Sequence, residues 1–244
     1  MFAAAALLVY SVAWPTVAPA LDIPAQHHPW AKFPVGSWSK TRLVQLVSTE
    51  DGQEKITKTV LTTTKLISVE ETGYTLQEET QIDEMPGEDP KTLMLGWDGL
   101  PADSQRDVSI SVSEVKIEGR SFVCQTHETS SMLAGEELSV KWWYCPDQAP
   151  YLLKKLTRIR GQAPRTITAE VIALGVARKV LDEELPCDQT RTTETATRRS
   201  LLSTRYSSRK IPGGIVYSET EIRDKQLGQL ERTRLTLEAF EIAP

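Results

Sequence analysis

The amino-acid sequence predicts an all-β fold, built as a curved antiparallel sheet or half-barrel with little helix. From Gly36 onward, segments rich in Val, Ile, Thr, Trp and Tyr alternate with turn residues at short intervals, which is typical of strands joined by hairpins. The turn residues fall at Asp51-Gly52, Gly73, Pro86-Gly87, Asp98-Gly99, Glu118-Gly119, Gly135, Gly161 and Pro212-Gly213-Gly214. The 244 residues, 40% apolar and 25% charged, suffice for a domain with a substantial core.

Two stretches of the chain have closely related spacings. Three residues of the first recur in the same order in the second: Cys124, Tyr144 and Pro150, then Cys187, Tyr206 and Pro212. The separations are 20 and 6 residues in the first stretch and 19 and 6 in the second. This match predicts a duplicated unit, about residues 107–161 and 166–224, in which each copy covers the apolar face of its neighbour.

The amino terminus is predicted to be an export signal, residues 1–20. Residues 2–14 form an apolar run, and Ala18-Pro19-Ala20 has the small-x-small pattern of a cleavage site after Ala20. The basic residues that usually open a signal are missing, because no Lys or Arg precedes Lys32. An uncleaved membrane anchor is therefore the alternative, although the run is shorter than the ~20 residues of a spanning helix. The cleaved chain would have no stable membrane span and would be periplasmic or secreted.

After the signal, the chain is predicted to form an extended lead-in, residues 21–35, and a single antiparallel β domain, residues 36–244. Prolines in the lead-in keep it extended and without regular pairing. The stretch 169–185 has a considerable helix propensity. Alignment of the two related stretches places Asp182 opposite Gly119, however, and both are natural turn residues. Strand, turn and strand are therefore predicted there.

The three cysteines all lie in the predicted duplicated half and fit an oxidising compartment. Cys124 and Cys187 occupy equivalent positions, so one interpretation is a disulfide between them. The other is that both are buried thiols that pack as small hydrophobes. Cys145 is then the odd cysteine. A metal site is not predicted, because no Cys-x-x-Cys occurs and only three histidines are present.

One predicted strand alternates in a way that defines a face. Val140, Trp142 and Tyr144 point to one side of it, and its counterpart in the second stretch ends in Tyr206. Trp142, Tyr144 and Tyr206 are therefore the candidate residues for lining a concave, apolar ligand site. The alternative is that these aromatic side chains fill the core.

Charge and motifs argue against several classes of function. A net charge of −5 argues against a sequence-independent nucleic-acid binder, which needs clustered Lys and Arg. No G-x-S-x-G elbow, G-x-G-x-x-G, P-loop or EF-hand pattern occurs, so neither catalytic residues nor a cofactor are predicted. Adjacent acids such as Glu136-Glu137 point to opposite faces of a strand and cannot converge on one bond. The protein is predicted not to be an enzyme.

Two motifs give the chain a resemblance to known proteins. The opening Trp30-x-x-Phe33-x-x-Gly36-Ser37-Trp38, together with Tyr206 and the turn Pro212-Gly213-Gly214-x-Val216, resembles a group of uncharacterised exported bacterial proteins built from β repeats. The chain is also similar in style, at a greater distance, to periplasmic lipoprotein-carrier-like folds. That similarity implies a concave sheet with an acyl-sized pocket and no catalytic residues, although the lid helices of the carriers are missing.

Three functional hypotheses follow from these observations. The first is an exported, non-enzymatic β protein that binds an apolar or amphipathic, lipid-like small molecule on a concave sheet. The second is a structural or interaction module of the cell envelope, whose envelope-protein partner contacts exposed edge strands. The third is an enzyme, and two carboxylates facing each other across a groove would indicate a glycosidase.

Overall fold

The computed structural model describes residues 23–48, 53–83, 85, 87, 89–97, 107–133, 135–226 and 230–244. The predicted export signal, residues 1–20, lies outside this part of the chain. The described residues form thirteen strands and one short 3-10 turn, Ala25–His27. The strands are β1 (Trp38–Ser48), β2 (Glu54–Glu70), β3 (Gly73–Ile82), β4 (Lys91–Gly96), β5 (Asp107–Ile117), β6 (Arg120–Leu133), β7 (Glu136–Tyr144), β8 (Leu152–Arg160), β9 (Arg165–Val180), β10 (Glu183–Ala196), β11 (Arg199–Ser207), β12 (Ile215–Asp224) and β13 (Leu230–Glu241).

All of these strands belong to one antiparallel sheet, which confirms the predicted all-β class with little helix. The spatial order is β4-β3-β2-β1-β13-β12-β11-β10-β9-β8-β7-β6-β5. Consecutive strands lie side by side, except β4 and β5, and β1 pairs in addition with β13 over Trp38 to Val47. The first and last strands therefore meet inside the sheet. Its two edges are β4 and β5, which follow each other in the sequence.

The helix-prone stretch 169–185 forms strand, turn and strand, as predicted. β9 ends at Val180, the turn contains Leu181 and Asp182, and β10 begins at Glu183. Thirteen residue pairs align β9 with β10, and β9 pairs with β8 on its other side. Pairing on both sides satisfies backbone groups that a helix would satisfy internally, so tertiary context outweighs local propensity.

The cysteine pairing differs from the predicted Cys124–Cys187 disulfide. Cys124 is bonded to Cys145, with their Cα atoms 4.4 Å apart, and Cys187 is a buried free thiol. Gln125 of β6 lies opposite Tyr144 of β7, so the next residues outward, Cys124 and Cys145, meet across this hairpin. Cys187 lies on β10, four strands from β6, or about 19 Å along the sheet at about 4.8 Å per strand. That distance is too large for a disulfide.

The disulfide and the free thiol have different physical roles. Closing the loop between Cys124 and Cys145, which are 21 residues apart, stabilises the fold by about 3 kcal/mol in the chain-entropy model. Cys187 packs in a buried cluster with Leu185, Ile211 and other aliphatic residues. Burial raises the pKa of its thiol, so Cys187 behaves as a small hydrophobe and is a poor nucleophile.

Candidate functional site

The lead-in, of which residues 23–35 are described, identifies the concave face of the sheet because it contacts both flanks. At one flank Ile23 packs in a buried cluster with Trp142 of β7. At the other, Trp30 packs with Leu66 of β2 and with aromatic and aliphatic residues of β3. Cross-strand pairing from β2 to β7 puts Leu66 and Trp142 on the same face. One short segment reaches that face at both flanks only if the sheet bends toward it, so this face is concave.

Six aliphatic side chains on the concave face are only half-buried. They are Val60, Leu43, Leu235, Ile222, Leu201 and Ile167. Leu43 lies directly between Val60 and Leu235 in the sheet, and Leu201 lies beside Ile222. None of the six belongs to the four buried clusters of described residues. The middle of the concave face therefore presents two apolar patches, one around Leu43 and one around Leu201, that are only partly removed from water.

A row of hydroxyl groups crosses the concave face between these aliphatic groups. Thr233, Thr220, Ser203 and Thr192 are successive partners across β13, β12, β11 and β10. Thr220 Oγ1 donates a hydrogen bond of 2.8 Å to Ser203 Oγ, which lies 3.2 Å from Ser218 Oγ. These bonds satisfy the buried hydroxyls of Ser203 and Ser218. The face thus combines apolar surface with a few fixed polar groups, as small-molecule sites do.

Sequence reasoning missed these concave-face residues. Leu43 and Leu235 come from the first and last strands, and only the pairing of β1 with β13 brings them together. No local pattern signals a contact between residues 192 positions apart. The alternation of Leu43 with Arg42 was the available sign that one side of β1 is apolar, but it does not say what lies opposite.

Two of the predicted ligand-lining residues, Trp142 and Tyr144, lie in tightly packed surroundings. Their exposed fractions are 1% and 5%, and both belong to a buried cluster with Ile23, Leu138 and Val140. The Nζ atom of Lys155 lies 5.5 Å from the centroid of the Trp142 ring. The lead-in thus covers these rings at one flank.

The third predicted residue, Tyr206, points to the opposite face of the sheet. Its neighbours in the register are Gln189 and Tyr217, whereas the adjacent Arg205 shares the face of Leu43. The guanidinium of Arg178 stacks over the Tyr206 ring at 3.8 Å. The expectation that Tyr206 joins Trp142 and Tyr144 on the concave side is therefore corrected. The two cysteine-to-tyrosine spacings differ by one residue, and one residue inverts the face of a strand.

An unpartnered histidine lies on the concave face beside Trp142. His127 of β6 pairs across the sheet with Trp142 on one side and with Ile110 on the other. It is 7% exposed, and neither ring nitrogen has a hydrogen-bond partner among the described residues. Burial lowers the pKa of His127, so the ring is neutral at pH 7. It offers one donor and one acceptor to a polar group of a bound molecule.

The lead-in closes one end of the curved sheet through two adjacent histidines. His27 stacks on Tyr151 with ring centroids 3.7 Å apart, and its Nδ1 lies 2.6 Å from the hydroxyl of Tyr144. His28 contacts the rings of Tyr74 and Trp97 at the other flank, at 4.3 and 5.6 Å. Residues 27 and 28 therefore bridge the β7–β8 side of the sheet to the β3–β4 side. We call this closed end of the sheet the capped end.

The turn at Gly213 holds the lead-in in place at the capped end. Gly213 donates its backbone N–H to the carbonyl of Pro29 at 3.0 Å. Its φ is +74°, and a Cβ added there would lie 2.6 Å from the Trp30 ring. Gly214 has nearly the same φ, +77°, but a Cβ there would meet nothing closer than 3.7 Å. Gly213 is thus required both by its backbone angle and by the close approach of Trp30.

Replacing these two glycines by alanine should give different losses of stability. Gly214→Ala should lower the free energy of unfolding by about 1 kcal/mol, because alanine disfavours the left-handed backbone angle. Gly213→Ala also displaces Trp30, which should add about 1 to 3 kcal/mol to the loss. Urea unfolding measures the difference. Limited proteolysis should cut the lead-in of Gly213→Ala faster than that of Gly214→Ala. Equal losses and equal cleavage would show that Trp30 does not rest on this turn.

No metal centre is found in the described ranges, where no three His, Cys, Asp or Glu side chains cluster suitably for an ion. The helical structure of the same ranges contains no segment with the length and hydropathy needed to cross a bilayer.

Comparison with known proteins finds only limited similarity. No protein-family model matches the chain, and no curated protein matches it. Among solved structures, one described as a "putative lipoprotein" from Parabacteroides distasonis aligns with 85% of this chain and 96% of its own, at 11% identity and a TM-score of 0.36. A "putative exported protein with YmcC-like fold" from Bacteroides fragilis aligns with 86% of this chain and 98% of its own, at 12% identity and a TM-score of 0.34. Similarity at this level carries no statement about function.

Proposed function

We propose that the protein is an exported, non-enzymatic β protein that holds an apolar or amphipathic small molecule on its concave face. The observation that carries the proposal is the contiguous, half-buried aliphatic surface around Leu43, Val60 and Leu235. Contiguous apolar surface on a curved sheet is costly to leave in water and typically marks a binding site. The aromatic rings at the capped end are packed, so the ligand would occupy the middle of the sheet.

Polar groups on the same face favour an amphipathic ligand over a purely apolar one. The hydroxyl row through Thr220 and Ser203 lies beside the aliphatic surface. His127 adds a buried ring whose nitrogens have no partner among the described residues. Such groups would orient a head group, while the aliphatic side chains contact a chain of methylenes.

The experiment begins with the full-length chain, expressed with its own amino terminus and recovered from the cell envelope. Native mass spectrometry and solvent extraction should reveal a co-purified lipid-like molecule. The delipidated protein should bind a fluorescent stearate analogue saturably. Leu43→Asp places a charge within the aliphatic surface and should weaken that binding at least about tenfold, or about 1.4 kcal/mol.

Leu202→Asp is the matched control for the ligand experiment. Leu202 lies on the opposite face of the sheet and is 46% exposed, so the same substitution there should leave probe binding unchanged. Equal circular dichroism and urea midpoints would show that both variants fold. The proposal is wrong if no ligand co-purifies and the probe binds Leu43→Asp as well as the unmodified chain.

The second candidate, an interaction module of the cell envelope, is favoured by the free edge strand β5. Ile110 and Val112 of β5 are 53% and 68% exposed, and Val123 on the adjacent β6 is 67% exposed. An edge strand with exposed apolar side chains can accept a strand from a partner. Failure of both ligand tests would make this edge the better candidate for function.

A further inference from the structure

A groove at the capped end lies between the two proline-containing turns that follow β7 and β11. It has a volume of about 420 Å³. Gln148 and Ala149 of the first turn and residues 208–210 of the second form two of its walls. Leu174 and Gly175, which lie at a bulge of β9, also line the groove. The groove is separate from the aliphatic surface around Leu43, so it is not accounted for by the proposed function.

Fixed turns give the groove a defined shape. In the first turn, Tyr151 donates its backbone N–H to the carbonyl of Gln148 at 2.8 Å. In the second, Ser208 donates to the carbonyl of Gly214 at 2.8 Å, and Lys210 donates its N–H to Ser208 Oγ at 3.4 Å. Ser208 itself is 2% exposed. Such bonds hold the backbone of the two turns, and therefore the Cα atoms of Arg209 and Lys210, at nearly constant separations.

The charges that line the groove are unbalanced. Three cations, Arg120, Arg209 and Lys210, face one carboxylate, Asp188. Asp188 Oδ1 accepts the backbone N–H of Gly175 at 3.1 Å, which satisfies part of its hydrogen-bonding capacity. Arg120 has an exposed and long contact of 3.8 Å with Glu118, which is worth little. The lining therefore carries an excess of positive charge on a chain whose net charge is −5.

The positive charge near the groove also affects the pKa of Lys32. Burial and, to a smaller extent, the positive charge of Arg209 together lower the pKa of Lys32 to about 8. Lys32 lies on the lead-in, and its Nζ atom is 5.0 Å from the centroid of the Phe33 ring, so it is close enough to Arg209 for their charges to interact without lining the groove. Cations brought together in this way repel each other. The carboxylate of Asp188 attracts Arg209 and offsets part of this repulsion, and a bound anion would offset more of it.

We propose that this groove binds the phosphate or carboxylate group of a small anionic molecule, with Arg209 and Lys210 as its principal contacts and Arg120 at its rim. A guanidinium offers paired donors to either group, and an ammonium adds a compact charge. The anion is either part of a soluble molecule or the head group of a lipid.

The experiment uses three soluble probes with one carbon skeleton: glycerol, glycerate and glycerol 3-phosphate. Calorimetric titration of the full chain at low salt should show saturable binding of at least one anion and none of neutral glycerol. The double variant Arg209→Gln/Lys210→Gln should bind at least about tenfold more weakly, and added salt should weaken binding to the unmodified chain. The double variant Arg158→Gln/Arg223→Gln, with the same change of charge away from the groove, should bind as the unmodified chain does.

Vesicles distinguish the source of the anionic group. Phosphatidylcholine vesicles with and without phosphatidylglycerol are sedimented with each variant. Retention that requires phosphatidylglycerol and both Arg209 and Lys210 assigns a lipid head group, whereas binding of the soluble anions alone assigns a free molecule. Absence of saturable binding to every anion, or equal binding by both double variants, overturns the proposal. Leu43→Asp leaves the groove intact, so failure of the concave-face ligand would not affect this result.

Discussion

Trp142→Ala should destabilise the protein by about 3 to 5 kcal/mol, as expected for removing a large aromatic side chain from a packed core. Trp142 is 1% exposed and packs with Val140, Tyr144 and Ile23. The loss combines the apolar surface of the indole with the cavity that remains, because a sheet held by hydrogen bonds on both sides relaxes little. Urea unfolding measures the free energy of unfolding directly.

Trp143→Ala is the matched control for this substitution. Trp143 is the next residue on β7, points to the opposite face and is half-buried, with Lys141 and Lys154 each 5.4 Å from its ring. Its removal should cost less, about 1 to 2 kcal/mol. If Trp142→Ala cost no more than Trp143→Ala, the aromatic face at this flank would be loosely packed. Trp142 would then again be a candidate for contact with the ligand.

Strand alternation was the part of the fold that the sequence predicted well. The burial of Val140, Trp142 and Tyr144 follows from their period of two, which is a local property of a strand. The turns at Gly119 and Asp182 were also found, because residues with turn chemistry break the alternation. Such features depend on neighbours in the sequence and need no knowledge of the sheet.

Two features were predicted wrongly, the face on which Tyr206 lies and the pairing of the cysteines, and both depend on strand register. Tyr206 was placed on the concave side by aligning it with Tyr144, but one residue of difference in spacing turns it to the other face. The cysteine pair could have been found from a single turn. A hairpin centred between residues 134 and 135 puts Cys124 opposite Cys145, and Gly135 marks that turn.

A concave sheet was predicted, but the capped end and the aliphatic residues of the concave face were not, because both depend on contacts between distant segments. His28 meets Tyr74 and Trp97, which lie on strands that no local pattern connects to the lead-in. The prolines of the lead-in predicted an extended segment, whereas the described residues contain the 3-10 turn Ala25–His27 and a turn in which Phe33 donates its backbone N–H to the carbonyl of Trp30. The groove between the two proline-containing turns likewise combines residues from β6, β9, β10 and both turns.

His28 should make the protein less stable as the pH falls from about 6.5 to about 4. Burial, helped by the positive charge of Lys32, lowers the pKa of His28 from 6.5 to about 4 in the folded state. Between these values the unfolded chain binds a proton that the folded chain does not, so protonation favours unfolding. The contribution of neutral His28 to the free energy of unfolding is fully present above pH 6.5 and is lost as the pH falls to about 4. The total is about 3 kcal/mol, of which about 2 kcal/mol is lost between pH 7 and pH 5.

His28→Asn isolates this titration. Nδ1 of His28 accepts the backbone N–H groups of Trp30 and Ala31, each at 3.2 Å, and the amide oxygen of Asn can accept them without titrating. The lowered pKa of His127 and the raised pKa of Asp188 are present in both proteins. Subtracting the unfolding free energies of the variant from those of the unmodified chain at each pH therefore leaves the contribution of His28. That difference should fall by about 2 kcal/mol from pH 7 to pH 5. A difference that stays constant across this range would mean that His28 is hydrated, and that the lead-in does not close this end of the sheet in solution.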